Sequence, residues 1–314
     1  MAQQRGANVD FLLGFETTFG VAASAGFTLP VNSIGLKGNQ ALNTAQTLSG
    51  TRNPVAPFSG NKDVNGQIVI PADSVAMWYW LKAMFDDPVT TGSGPYVHEF
   101  KIPTTQPSIT LEEAFEDLAT NKYQRFVGCK IADWSTAFGG DGELVSTVSI
   151  IGASDSLETS AFDGSPTAVS IARVNNFEAA ITEGGGALSN ATEVSLAINF
   201  GLDPDQFVIG GSGTRGSIPE GIVGVTGNLK TLFEDDSLLA KANASTESSL
   251  KITVTASASS VLELEIQELL YERNSPDVPG PQGLQVDLNF QGYYTNGSET
   301  SAIVARLTNS EAHA

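Results

Sequence analysis

The sequence predicts a mainly β protein made of two tandem β-sandwich or barrel domains, each carrying one flanking α-helix and one long loop. Three observations lead there: short alternating apolar runs punctuated by Gly, Pro, Asn and Ser, a single helical stretch in each half, and landmark segments of the first half that return in order in the second. Ser49-Gly50-Thr51-Arg52 recurs as Ser212-Gly213-Thr214-Arg215. Upstream, Leu29-Pro30-Val31-Asn32 with Gly35 matches Leu196-Ala197-Ile198-Asn199 with Gly201. Downstream, Val64-Asn65-Gly66-Gln67-Ile68 matches Val225-Thr226-Gly227-Asn228-Leu229. The alternating run 144–152 (LVSTVSIIG) matches 284–292 (LQVDLNFQG) at identical length, with a loop insertion expected in the first half near residues 86–96. Two related units in one chain give a pseudo-symmetric subunit, a common way to build rings.

Taken in order, residues 1–25 read as an N-terminal arm with Gly and Ala spacing and little periodicity. The first domain spans residues 26–154. Within it, 67–70 and 97–102 read as strands, and Ser108-Ile109-Thr110-Leu111-Glu112 alternates with its apolar residues on one face. Residues 73–85 predict a helix, capped by Asp73 or Ser74, with Val75, Trp78, Leu81 and Phe85 on one face. Residues 155–170, small and polar with Gly-Ser-Pro punctuation, read as a linker to the second domain at 171–314. That domain supplies strands at 193–200, 250–255, 261–270 and 284–293, and a helix at 234–243 whose acidic residues suit a helix N-terminus. Val261-Leu262-Glu263-Leu264-Glu265-Ile266 alternates, so one face packs on a core while the other presents carboxylates. Two weakly structured stretches, 36–64 and 202–225, occupy equivalent places. Loops longer than about 15 residues in a compact domain are usually functional or disordered. These are read as arms that order on contact with a neighbour, with ordinary surface loops as the alternative.

Composition narrows the function. The chain has 314 residues, 41% of them hydrophobic, which excludes wholesale disorder. Charged residues make up only 16%, against roughly 25% in typical soluble proteins; a surface covered by neighbouring copies is one explanation, a Gly/Ser/Thr-rich β protein the other. With 35 acidic against 16 basic residues the net charge is −19, and no basic run is present. Tight nucleic-acid binding needs clustered Lys and Arg and is excluded. The single cysteine, Cys129, permits no intrachain disulfide and reads as a small buried hydrophobe. Phe11-Leu12-Leu13 is too short for a signal-peptide core and no stretch is long enough to span a membrane, so synthesis in the cytoplasm without an anchor is expected.

No catalytic, metal or cofactor site emerges. His98 and His313 are the only histidines, and no nucleophile motif surrounds His98. Gly210-Gly211-Ser212-Gly213 lacks the lysine of a phosphate loop. Gly139-Gly140-Asp141-Gly142-Glu143 and Asp203-Pro204-Asp205 lack a calcium-loop pattern and read as turns. The pairs Glu112-Glu113 and Glu263/Glu265 could serve a glycosidase, but their alternation with core residues reads as a solvated strand face.

The ordered motifs resemble those of the phage tail tube proteins of long-tailed phages, in the group whose subunit carries two tandem tube domains. Gly14-Phe15-Glu16-Thr17-Thr18-Phe19-Gly20 is similar to that family's G-x-E-x-T-[YF]-G opening. Val225-Thr226-Gly227-Asn228-Leu229 with Phe233-Glu234-Asp235 is similar to its V-T-G-x-[IL]…F-E-D block, for which the first half has Pro71-Ala72-Asp73. Pro279-Gly280-Pro281-Gln282-Gly283-Leu284 is similar to its G-P-x-G-L turn, and a last strand closes in Leu307-Thr308-Asn309. The resemblance implies a structural virion protein, a tail tube subunit. It implies trimeric rings of pseudo-sixfold symmetry stacked head to tail, contacts to tape measure and terminator or tip proteins, and a channel through which DNA passes without specific binding. On that reading Glu263, Glu265 and Glu268, with Glu112 and Glu113 as first-half counterparts, line an acidic wall that repels DNA, or else face outward. Arg52 and Arg215 mark the loops that stack rings. The alternatives are another tube-fold tail component, a terminator or baseplate ring, and a glycan-binding β-sandwich adhesin.

Overall fold

The computed structural model describes residues 3–278 and 280–313. Met1, Ala2, Pro279 and Ala314 fall outside it, and with them part of the expected arm and of the turn before Leu284. Strands dominate, with two α-helices, α1 (Met77–Phe85) and α2 (Ser237–Ala244).

One antiparallel sheet runs through both halves. Its eight strands lie in the order Lys37–Asn43, Phe58–Pro71, Val145–Gly152, the second part of Lys122–Phe138, Ala191–Asn199, Gly224–Leu232, Gln285–Tyr293 and the end of Ser260–Tyr271. A second layer covers it in each half. In the first half this layer is Val9–Phe15, Ile109–Phe115, the first part of Lys122–Phe138 and Ser154–Glu158. In the second half it is Ala179–Glu183, Ser248–Ser257, Ser260–Tyr271 and Val304–Asn309. The order of pairing is the same in both, with α1 and α2 at matching places. One hydrophobic cluster, including Phe11, Trp80, Phe126, Leu264 and Phe290, fills the space between the layers.

The register explains two of the repeated motifs. Val64 lies opposite Gly152, and Val225 lies opposite Gly292. A Cβ on Gly66 would run into the Gly35 carbonyl, and one on Gly227 into the Ser195 carbonyl and the Phe290 ring. Both glycines recur because a neighbouring backbone passes too close for a side chain. The upstream match is out of step. The strand partners equate Gly38 with Ile198 and Asn39 with Asn199, since they face Val64 and Asp63 in one half and Val225 and Gly224 in the other.

Other expectations need correction. The N-terminal segment is not a free arm: Val9–Phe15 is an inner strand between Phe27–Thr28 and Ile109–Phe115, with Phe11, Leu12 and Leu13 all buried. Three consecutive apolar side chains are covered on both faces of the strand, a pattern that hides periodicity. The linker stretch begins as sheet, because Ser154–Glu158 pairs with the first half. The insertion forms a hairpin, Val89–Thr91 with Tyr96–Lys101, whose second strand extends the second half by pairing with Val304–Asn309. Helix α1 is buried on every side except at Lys82; Asp73 opens it by accepting the amides of Val75 (2.6 Å) and Ala76 (2.5 Å). Helix α2 buries only Leu238 and Ala242 and lies on the surface.

Candidate assembly and channel surfaces

The free face of the eight-stranded sheet is concave. An open trough of ≈ 700 Å³ crosses five neighbouring strands, through Ser135, Thr147, Ser195, Thr226, Asn289 and Gln291. Alternation produces this surface: Val286, Leu288 and Phe290 turn to the core while Gln285, Asp287, Asn289 and Gln291 face out. Its charges are few and mostly acidic. Asp133 accepts from Asn199 (2.5 Å), Glu272 from Asn289 (3.1 Å) and Asp287 from Asn228, while Glu193 pairs with Lys230 (3.0 Å).

The sequence-predicted acidic residues lie elsewhere. Glu112 is fully buried, its carboxylate held by Arg125 (2.7 Å) and the Phe162 amide (3.1 Å). It does turn away from the core, but residues 16–26 and 160–163 cover that face, so it lines nothing. Glu113 points the other way, toward the core face, and burial pushes its carboxyl up to about 7. Glu268 is also buried, accepting the amides of Thr295 (2.8 Å) and Gly297 (3.0 Å); the Thr295 amide foremost holds it below the usual carboxylate range. Glu263 and Glu265 are on the outer layer, on the side away from the trough. Arg306 bridges them at 2.8 and 2.5 Å, and also reaches Glu99 (2.8 Å) and Glu299 (2.6 Å). Burial works against the Arg306 charge, but these carboxylates outweigh it and raise its pKa. Nothing in the sequence marks the trough acids, because each stands alone, with no second carboxylate among its immediate sequence neighbours.

The two loop arginines differ. Residues 44–57 join the exposed strand Lys37–Asn43 to the exposed start of Phe58–Pro71, and Arg52 is exposed there. Arg215 is not a projecting contact but a buried pin. It donates to the carbonyls of Pro204 (2.5 Å) and Gly152 (2.8 Å), pairs with Asp63 and lies over the Phe207 ring. Both loops nonetheless expose an aliphatic side chain just before the shared motif: Leu48 is 102% and Ile209 107% exposed. Glu16 of the opening motif is likewise structural, accepting from Gly20 (2.9 Å), Gly128 (2.8 Å) and Thr110 (2.9 Å).

His98 bonds Thr90 (2.8 Å) and Asn309 (3.2 Å), and His313 stacks on Trp78. Burial lowers His313 to about 4. Cys129 is buried, which raises its thiol pKa. Among the described residues no group of three or more His, Cys, Asp or Glu is placed to hold a metal ion, and no helix is long and apolar enough to cross a membrane.

Two repeated β layers, a concave polar face and two unpaired sheet ends define a β-rich structural subunit suited to association with its own kind. The phage tail tube protein family matches residues 6–292, and the chain belongs to it. It is accordingly a structural component of a bacteriophage tail. No match was found among curated proteins.

Proposed function

We propose that this chain polymerises as stacked rings whose joined concave faces form the channel for DNA delivery. The observation that carries the reading is the eight-stranded sheet, unbroken across both halves and open at each end, with a polar trough across five strands of its free face. Two tandem domains, divided near residues 155–170, make each subunit two-sixths of a pseudo-sixfold ring, so that a ring is a trimer. Head-to-tail stacking is heterologous and generates a filament. The wall is neutral-polar with scattered acids, Asp133, Glu193, Glu272 and Asp287, in place of the glutamates named from sequence. Such a wall repels phosphate weakly, and Glu193 neutralises its Lys230. The subunit performs no catalysis, assembles in the host cytoplasm and meets tape measure and terminator or tip proteins at the tube ends.

Electron microscopy of the purified protein tests this. Tubes or rings of constant bore are the expected result; a monodisperse monomer under all conditions of salt and concentration refutes it.

A further inference from the structure

The repeated pairing order makes the junction inside the chain a template for a second junction. Inside the chain, residues 130–138 of the first half pair with Ala191–Asn199 of the second: Ala197 faces Ser135 and Asn199 faces Asp133. The loop after Ala191–Asn199 then reaches back over the first half. Its Gly213 carbonyl accepts the Lys62 amide (2.8 Å), the Arg215 amide meets the Ala153 carbonyl (3.4 Å), and the Arg215 guanidinium donates to Gly152 (2.8 Å).

The parts of that junction have unused counterparts, save Asp63, whose place in the second half is taken by Gly224. The register equates Lys37 and Asn39 with Ala197 and Asn199. The strand Lys37–Asn43 is exposed throughout and pairs on one side only. At the opposite end of the sheet, residues 272–278 run on from Tyr271, with the Glu272 backbone amide donating to the Asn289 carbonyl (2.8 Å) and the Asn274 side-chain amide to the Asp287 carbonyl (2.9 Å). These bonds place Glu272 and Asn274 where Asp133 and Ser135 stand in the first half, since Asn289 and Asp287 correspond to Ser149 and Thr147. The spot that receives Arg215 in the first half has its own counterpart too. Around Gly292, the equivalent of Gly152, lies a groove of ≈ 540 Å³ lined by Ile222, Val223, Tyr293 and Tyr294 on one side and by Ile102 to Thr104 of the first half on the other. The exposed loop 44–57 carries the same Ser-Gly-Thr-Arg sequence as the seated one.

We infer that two copies of this chain join by repeating the internal junction: the edge at residues 35–39 of one copy pairs with residues 272–276 of the next, Asn39 beside Glu272 and Lys37 beside Asn274, while Ser49 to Arg52 seats in the groove at Gly292. Asn39 then donates to Glu272 as Asn199 does to Asp133 (2.5 Å). Arg52 then reaches the Gly292 carbonyl as Arg215 reaches that of Gly152, without the ion pair that Asp63 adds internally. This rests on the reading that the chain polymerises, and it names the surfaces that do so.

Cysteine pairs test it. Directly opposed residues on antiparallel strands have Cα atoms about 4.5–5.5 Å apart, within disulfide range. The pair Ala197→Cys with Ser135→Cys calibrates the internal junction and gives an intrachain disulfide. The pair Lys37→Cys with Asn274→Cys gives an intermolecular disulfide, seen as a ladder of oligomers on non-reducing gels. Tubes by microscopy with the calibrating disulfide formed but no 37–274 ladder overturn the inference and leave the tube reading standing; wild-type chain that never assembles sinks the tube reading itself. Should the 37–274 variant fail to assemble under reducing conditions, Asn39→Asp and Arg52→Glu decide. Both positions are exposed, so each variant keeps its circular dichroism spectrum and thermal midpoint while assembly is lost. Wild-type assembly by either variant refutes the proposed contact.

Discussion

Replacing Glu263 and Glu265 together by Lys tests whether the outer-layer charge network supports the fold. Both carboxylates contact the Arg306 guanidinium, at 2.8 and 2.5 Å, and Lys251 stands 3.5 Å from Glu263. Losing two charge-assisted hydrogen bonds costs about 1.5 kcal/mol each. Two ammonium groups beside Arg306 and Lys251 add about 1 kcal/mol of repulsion at this partly exposed site, for a total of about 4 kcal/mol. With an unfolding entropy of about 2.1 cal/mol/K per residue, a chain of 314 residues converts that into a midpoint lower by about 6 °C. Differential scanning calorimetry of the unassembled subunit reads it, with the Glu263→Gln, Glu265→Gln variant expected between the two. The deficit shrinks at high salt, where the repulsive part is screened. A double-lysine variant as stable as the wild type refutes the argument and makes the network a surface decoration.

The remaining predictions follow from burial and backbone geometry. Gly66→Ala and Gly227→Ala each place a Cβ against a neighbouring carbonyl and cost about 3 kcal/mol, read by denaturant unfolding; unchanged midpoints refute the close-approach explanation. Glu113, held neutral up to about 7 by burial, keeps a proton in the folded chain at pH values where the unfolded chain has lost it. Its contribution therefore falls as pH rises from about 4.3 to 7, and Glu113→Gln is more stable than wild type above pH 7 and loses that part of the pH dependence; parallel stability–pH curves for the two proteins refute the shift. Removing residues 44–57 leaves a folded subunit that does not polymerise, whereas removing 203–216 takes out the Arg215 pin and lowers the thermal midpoint; full-length tubes from the first deletion, or an unchanged midpoint for the second, refute these roles.

What was legible in the sequence was whatever steric demand or alternation imposes on each half alone. The run 284–292 alternates because one face is core and the other is open, and Gly66 and Gly227 recur because no side chain fits beside Gly35 and Ser195. What layers above a strand do was not legible. Glu112 obeys its alternation, yet the face it occupies is roofed by residues 16–26 and 160–163, segments far away in sequence. Phe11-Leu12-Leu13 has no period because it is covered on both sides. Arg52 and Arg215 sit in the same four-residue motif with opposite burial, since only the second loop lies against the end of the other half's sheet, at Gly152.

The strand pairing between residues 133–138 and 194–199 also bears on how a filament begins. A junction between tethered halves forms at an effective concentration in the millimolar range for short linkers, far above that of free subunits, so it is closed before any second molecule arrives. In the trimeric ring proposed above, half the seams are then present in every newly made chain. The concentration dependence of nucleation reflects only the remaining seams, and its steepness is lower than that of an assembly started from separate single domains.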